Sequence, residues 1–576
     1  MATFETDRRP TVRAWRAVDQ RLVGLVGAAL LIAVLARPMV FGRTFIGWDW
    51  YPHQWYVWHQ AGSLRANGVP SLFAYSTGVF SPVYAFYGGT LYAVAGILTL
   101  IVGDPGSAMV IVFVLGFVAA YGGWYWLARQ VGLGVWVAHA PAVLFVTSPY
   151  YLALIYATGG FGEFTAVSMI PLLLASATAT LRADRLRLAN AAPLAISAIL
   201  FTGSHNVTLV WGSTVLVIVG LTLVAVVPGM RRTLTRRGVL RVLGVAVPAI
   251  LVNGWFLLPD VVYASQTVIA NASEDAKDQL QATMYLVGHS HVLALDRSPS
   301  TARVPHYALQ LPVLGVAWVL AGIALARLSW RTSWFRAVAV LLLAIVGLYV
   351  LMESFSLLWA LPDVYNNLQF SYRLESYILL AFAGAVVGVL RLQGDRRPAW
   401  WAWALAGVVA WSVVGGVVQL RQQPPSKEPE WKQAAPYVPP VPPPAIIDYG
   451  QDALPVMTVD ADQVPIAWFS ADAEHGDHAE VTVAAAPGTI VRTNIVTMPQ
   501  LIRIDGGRIV AREPSGADLV QLDDDARLGA ARLVVDAARP WPVVGGWVLT
   551  LLGLAGLAAN AAVIGRAARV RRRAGG

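Results

Sequence analysis

Apolar runs of near-membrane length follow one another through most of this chain. About 20 consecutive apolar residues are needed to cross a hydrocarbon core roughly 30 Å thick. A backbone in lipid has to satisfy its own hydrogen bonds, so such runs are expected to be helices. A membrane barrel would instead alternate apolar and polar residues over segments of about ten, and these runs do not alternate. Composition agrees. Of the 576 residues 57% are hydrophobic and 13% charged, where a soluble domain carries about a quarter charged residues. The expected fold class is therefore a polytopic α-helical membrane protein.

The formal net charge of +9 raises the question of nucleic acid, and the placement of the charge answers against it. No basic stripe interleaved with aromatics is present. Arginines instead cluster in short loops between apolar runs, as the positive-inside rule places them on the cytoplasmic side. Arg8, Arg9, Arg13, Arg16 and Arg21 precede the first run, and Arg182, Arg185 and Arg187, then Arg231, Arg232, Arg236 and Arg237, lie between later ones. Arg569, Arg571, Arg572 and Arg573 end the chain. Both termini are thus expected inside the plasma membrane of a bacterium. Cysteine is absent, which excludes disulfides, thiol catalysis and thiolate-bound metal. The first apolar run has no small-residue cleavage site after it and reads as a retained helix, not a signal peptide.

Parity of these anchors predicts spans near 22–41, 107–128, 134–149, 164–181, 189–204, 207–228, 240–259, 308–326, 336–352, 374–390, 399–418 and 542–565, about twelve in all. The run 83–102 fits no such count, because a crossing there would turn Arg129 and every later loop outward. It is expected to lie in the first outer loop and dip partway into the membrane. The resulting organisation is a cytoplasmic N-terminus (1–21), a transmembrane domain (22–418) with a long first outer loop (42–106), an outer β-rich domain (419–541), a last span (542–565) and a basic tail (566–576). The outer domain opens on a Pro-rich linker, a semi-rigid spacer. Alternating stretches at 480–485 and 490–497 and an expected hairpin over 501–511, turning at Asp505-Gly506-Gly507, point to a small β-sandwich.

Four short patterns could carry chemistry. Gly47-Trp48-Asp49-Trp50-Tyr51-Pro52-His53 follows the first span. Asp49 and His53 are four residues apart and can share a helical face; a desolvated carboxylate there could serve as a base, or Asp49 could simply cap a surface helix within an aromatic belt. Glu163, in Gly162-Glu163-Phe164, stands where an outer loop re-enters the membrane. An acid at that depth is costly and tends to be functional, although a helix N-terminus also favours Glu. Ser204-His205-Asn206 is a polar turn between two apolar runs, and a plain turn is the simpler reading. Arg373, in Gln369-Phe370-Ser371-Tyr372-Arg373, is a rare outward-facing cation at a helix start; it could grip a phosphate by a bidentate fork, pair with Glu375 or Asp363, or snorkel to the headgroups. His289, His291 and His306 in the loop 260–307 read as solvated polar residues in preference to a metal site.

In order and loop placement, Asp49-x-x-x-His53, Phe80-Ser81-Pro82-Val83-Tyr84-Ala85-Phe86-Tyr87, Gly162-Glu163-Phe164, Ser204-His205-Asn206 and Leu368 to Arg373 resemble the GT-C superfamily of polyprenyl-phosphate-sugar-dependent glycosyltransferases. The resemblance is closer to the bacterial membrane proteins labelled 6-pyruvoyl-tetrahydropterin synthase-related, a label that implies no pterin chemistry, and it covers residues 47–375. It implies Asp49 as base or metal ligand, Glu163 as a second acid, His53 as a relay, and Arg373 with His205 and Asn206 at the donor phosphate. Trp48, Trp50, Tyr84, Tyr87 and Gln369 would line the acceptor site. A divalent cation (Mg, Mn or Ca) held by Asp49 and Glu163 is a further implication, weakened by single acids where some members have pairs. The implied partners are a polyprenyl-phosphate sugar, membrane lipids and an envelope glycan or glycolipid acceptor; arabinofuranosyl or mannosyl transfer would suit an actinobacterial envelope. A lipid-linked-sugar flippase and a non-catalytic envelope-assembly scaffold are the competing classes.

Overall fold

The computed structural model describes in the main residues 9–41, 49–264, 332–421 and 464–574, apart from short stretches within them such as 366–370. The expected span 308–326, the loop histidines and the Pro-rich linker lie outside the described residues. The chain is mostly helical. Helices α1 (Arg9–Phe41), α2 (Trp50–Asn67), α3 (Val83–Phe86), α4 (Gly89–Val102), α5 (Pro105–Gln130), α6 (His139–Val146) and α7 (Pro149–Tyr156) lead to α8 (Phe161–Arg182), α9 (Leu188–Ser204) and α10 (Asn206–Val226). Then follow α11 (Pro228–Thr233), α12 (Arg236–Leu251), α13 (Gly254–Tyr263), α14 (Ser333–Glu353), α15 (Glu375–Gln393), α16 (Ala399–Arg421) and α17 (Trp541–Ala574). Among the described residues seven helices are long and apolar enough to cross a membrane, or eight if α12 and α13 count as one bent span. This is a multi-pass membrane protein.

Two expected spans take another form. The run 134–149 is not one helix: α6 ends at Val146, and α7 starts at Pro149 after a Thr147-Ser148 break, since proline disfavours helix in the residue before it. The run 240–259 is bent by 74° between α12 and α13. The run 83–102 yields only the four residues of α3 and the 14 of α4. At 1.5 Å per residue α4 is about 21 Å long, short of the hydrocarbon thickness.

A bend inside an apolar helix frees backbone groups that lipid cannot satisfy. Here α17 supplies the partners. The Thr550 hydroxyl accepts from the Trp255 backbone N–H at 2.9 Å and donates to the Val252 carbonyl at 3.1 Å. Glycines permit the approach. A Cβ on Gly546 would stand 2.5 Å from the Gly254 carbonyl oxygen, and one on Gly254 would stand 2.6 Å from the Leu549 Cβ, the small-residue contact typical of membrane helix pairs. Across the bend, Asn253 donates to the Ile199 carbonyl at 2.9 Å and to Thr202 at 2.6 Å, tying α13 to α9.

The strand region forms two sheets. Strands β1 (Ala74–Ser76) and β2 (Val79–Ser81) make a separate small ribbon in the first loop. Further on, β3 (Ile466–Ala467), β4 (His478–Val483), β5 (Ile490–Thr493), β6 (Ile502–Asp505), β7 (Gly507–Arg512), β8 (Asp518–Leu522) and β9 (Ala531–Ala537) arrange as β3-β5-β8-β7 and β4-β9-β6. Val491, Val520 and Leu522 of one sheet and Val483, Leu533 and Val535 of the other belong to one buried apolar cluster. The 501–511 hairpin does not form. The chain does turn at Gly506, whose φ is +90°, but β6 pairs with β9 while β7 pairs with β8. A Cβ at Gly506 would meet the Arg532 carbonyl oxygen at 2.1 Å, so strand β9 packs where a hairpin's own turn would otherwise open, and the chain passes from one sheet to the other.

Replacing Thr550 with valine keeps the shape and removes both hydrogen bonds at the bend. The expected cost is about 1–3 kcal/mol for each buried group left unpaired, measured as a lowered thermal unfolding midpoint of the detergent-purified protein.

Candidate functional site

Three chain turns meet where α4, α8 and α10 begin. Gly88 has a φ of +70°, and a Cβ there would meet the Ser204 carbonyl oxygen at 2.0 Å. A Cβ on Gly162 would stand 2.6 Å from the same oxygen and 3.4 Å from the His205 ring. The absence of side chains at both positions is what brings the Phe80–Tyr87 stretch, the Gly162-Glu163 turn and the Ser204-His205-Asn206 turn together.

Asp49 occupies the N-cap position of α2 but its side chain makes no capping hydrogen bond. Its backbone N–H donates to the Thr158 carbonyl at 3.0 Å, fixing the start of α2 to the loop before α8. The residue is exposed. Even so, desolvation by the protein crowded around the carboxyl raises its pKa above the usual aspartate range, and the nearby Arg373 guanidinium offsets part of that rise. The capping role is therefore not the one its side chain plays here.

Arg373 lies in a short 3-10 turn, Ser371–Leu374, that leads into α15. Its Nε is 3.4 Å from Glu163 Oε2. Glu163, buried in the first turn of α8, also accepts from the Tyr150 hydroxyl at 3.0 Å and the Ser376 hydroxyl at 3.5 Å. Arg373 thus pairs with the Glu163 carboxylate, and its charge is also felt at Asp49.

His53 is 2% exposed and its Nδ1 is 2.7 Å from the Tyr92 hydroxyl. Its ring stacks on Tyr87 at 5.9 Å and lies 6.0 Å from Phe161. Burial pushes its pKa down to about 3, so the ring is neutral near pH 7. The contact that holds the imidazole is with Tyr92; with Asp49 it shares a backbone hydrogen bond, from the His53 N–H to the Asp49 carbonyl at 3.1 Å. His205 is also buried. Its Nδ1 accepts from the Thr208 N–H at 3.2 Å, capping α10, with the Thr208 hydroxyl 2.7 Å away. That arrangement leaves the ring proton on Nε2. Tyr87, stacked on His53, meets His205 edge-on at 5.7 Å.

The remaining expected residues divide. Asn206 donates to Asp260 Oδ2 at 2.8 Å, and its Oδ1 is buried without a partner among the described residues. Trp50 is buried and stacked on Phe113, and Tyr84 is fully buried with its hydroxyl on the Tyr56 carbonyl. Both are held among other aromatic rings. Trp48 and Gln369 lie outside the described residues. Sequence reasoning missed Asp260, Tyr92 and Tyr150. Asp260 carried a signal, an acid directly ending an apolar run; the two tyrosines carried none beyond apolar surroundings.

No group of three or more His, Asp or Glu side chains able to hold a metal ion is gathered among the described residues. Nor does the donor chemistry suit one: the Glu163 oxygens go to Tyr150, Ser376 and Arg373, and a guanidinium beside them supplies the positive charge that a divalent ion would bring.

No known family and no curated protein matches the chain. Among solved structures it is similar to the oligosaccharyltransferase of Archaeoglobus fulgidus in the apo form, with 15% identity, 71% of this chain and 57% of that chain covered, and a TM-score of 0.42. It is similar to the same organism's oligosaccharyltransferase AglB in complex with an inhibitory peptide and a dolichol-phosphate, at 14% identity, 72% and 58% coverage and a TM-score of 0.40. A third likeness is to ArnT from Cupriavidus metallidurans bound to undecaprenyl phosphate, at 13% identity, 64% and 77% coverage and a TM-score of 0.31. The chain spans little more than half the length of the archaeal enzymes.

Gly162→Ala is expected to destabilise the protein by about 1–3 kcal/mol through overpacking, because its Cβ would press on the Ser204-His205 turn. Gly220→Ala, with nothing within 4 Å of the added carbon, should leave the unfolding midpoint nearly unchanged. Thermal unfolding of the two variants side by side checks this.

Proposed function

We propose that the protein is an inverting glycosyltransferase that moves a sugar from a polyprenyl-phosphate donor to an extracytoplasmic glycan or glycolipid acceptor. The observation that carries this reading is the Asp49–Arg373–Glu163 arrangement. A carboxylate free of capping duty feels the charge of a guanidinium that is itself held by a buried acid. That is what a displacement at a phosphorylated sugar requires: a base for the incoming hydroxyl and a cation for the leaving phosphate.

In the proposed step the acceptor hydroxyl gives its proton to the Asp49 carboxylate. Its oxygen forms a bond to the anomeric carbon, and the bond from that carbon to the phosphate oxygen breaks on the opposite side, which inverts the centre. The electron pair leaves with the polyprenyl phosphate, whose added charge is met by Arg373 and by the Nε2 proton of His205. A base is most effective when its pKa approaches the working pH, and the raised pKa of Asp49 moves it that way. Glu163 orients Arg373, and His53, neutral and clamped by Tyr92, shapes the wall under Asp49. Tyr87, in ring contact with both histidines, belongs to the site, and Asn206, oriented by Asp260, extends it. The residues beyond description, Trp48 and Gln369, keep their proposed place on the acceptor side.

The arginine pattern supports the plasma membrane, both termini inside and about twelve spans, with the site and the β-rich region on the outer face. The influence of one guanidinium on both Asp49 and Glu163 favours an enzyme over a scaffold. The 74° bend between α12 and α13 favours a second reading, a lipid-linked-sugar flippase, since transporters use broken helices.

The test uses the full chain in nanodiscs with a radiolabelled polyprenyl-phosphate sugar and envelope glycan. Asp49→Asn should lower kcat by about 10²–10⁴-fold with donor binding retained. Arg373→Gln should weaken donor binding. Asp49 acts ionised, so activity falls as pH drops through its raised pKa. Arg373 holds that pKa down, and the residual activity of Arg373→Gln should therefore show its acid limb at higher pH. Full turnover by Asp49→Ala would overturn the transferase reading, and donor translocation without transfer would establish the flippase.

A further inference from the structure

A cleft of about 770 Å³ opens between the end of α2 and the β4-β9-β6 sheet, lined by Asn67, Val69, His478, Arg503, Asp536 and Arg539 among others. It lies at the far end of α2 from Asp49. The helix has 18 residues, so about 27 Å separates the two ends at 1.5 Å per residue, and the cleft is distinct from the Asp49 cluster.

Its charges are unbalanced. Asp536 is the acid in the lining, and both of its oxygens are engaged: Oδ1 is 2.7 Å from His478 Nδ1 and Oδ2 is 3.1 Å from an Arg503 nitrogen. Arg503 also reaches Asp505 at 3.4 Å. Arg539 is exposed and forms no ion pair with any described residue. Of the two guanidiniums in the lining, Arg503 is paired with carboxylates and Arg539 is not. The Asn67 amide adds donor capacity at the opposite wall, and Arg65 in the last turn of α2 counters the negative end of that helix.

The position of the cleft narrows what could fill it. Strand β9 ends at Ala537 and α17 begins at Trp541, so Arg539 stands where the chain passes from the sheet into a membrane span. Trp541 is 68% exposed, and exposed tryptophan at a span end marks the headgroup level. Val69, 44% exposed, contributes an apolar edge beside the arginines. Positive charge, amide donors and an apolar edge at headgroup depth suit a phosphodiester with acyl chains attached, as basic pockets at span ends suit anionic headgroups.

We propose that this cleft binds the headgroup phosphate of an anionic membrane phospholipid through Arg539 and Arg503, and that the bound lipid fastens the β4-β9-β6 sheet and the end of α2 to the membrane surface. The site is independent of the transferase reading, because none of its residues belongs to the Asp49 cluster.

The experiment places the full-length protein in nanodiscs of phosphatidylcholine, with or without phosphatidylglycerol, and in phosphatidylcholine discs with inorganic phosphate in the buffer. Retained lipid is read by native mass spectrometry and stability by thermal unfolding. Phosphatidylglycerol should be retained and raise the unfolding midpoint. Arg539→Ala and Arg503→Ala should each weaken its apparent affinity about fivefold, Arg539→Lys should weaken it less, and Arg508→Ala on the other sheet should match the wild type. Equal retention by wild type and Arg539→Ala overturns the proposal, as does equal weakening by Arg508→Ala. An equal stabilisation by inorganic phosphate overturns the lipid as occupant in favour of a soluble phosphate group.

Discussion

The contact between Arg373 and Glu163 organises the membrane half of this protein. Glu163 begins α8 and Arg373 precedes α15, and these helices are far apart in sequence. One 3.4 Å pairing joins the turn before α15 to the first turn of α8. A buried acid standing alone would cost several kcal/mol. With Tyr150, Ser376 and Arg373 around it, Glu163 is satisfied, and Arg373 is held in a fixed direction close enough to influence Asp49. Removing Arg373 would take away the positive charge beside Glu163, so the pair shapes the electrostatic environment of the candidate site.

The candidate residues stand out in the sequence because membrane burial makes polar residues conspicuous. Asp49, Glu163, His205 and Arg373 each interrupt an apolar context, and the structure draws them around three touching turns. Their partners were hidden. Tyr92, which holds His53, and Tyr150, which holds Glu163, sit in stretches where an aromatic residue looks like packing. Whether a tyrosine hydroxyl finds a polar partner depends on tertiary contact, which spacing along one helix does not encode. Trp50 and Tyr84 likewise make contacts that spacing does not encode, a stack on Phe113 and a hydrogen bond to the Tyr56 carbonyl.

The fold was readable to the same degree and for a related reason. Hydropathy fixes which stretches are helical and how long they are, and α4 has the short length expected of a run set aside from the spans. It carries less information about breaks. The Thr147-Ser148 interruption and the α12–α13 bend fall at one or two polar residues inside mostly apolar runs, where side-chain hydroxyls receive the freed backbone groups. The Asp505-Gly506-Gly507 turn likewise has a hairpin's composition. Only the packing of β9 against Gly506 sends its two strands to different sheets.

The bracing of the bend by Thr550 has a consequence for how the molecule is made. Residues 252–255 leave the ribosome long before residue 550 does, and the β-rich region is synthesised between them. During that interval the interrupted helix has no partner for its exposed carbonyl and N–H, and Asn206 and Asp260 beside it lack a settled support. The membrane half therefore completes its folding only after the β-rich region and α17 have been translated, so assembly of the candidate site waits on the last part of the chain.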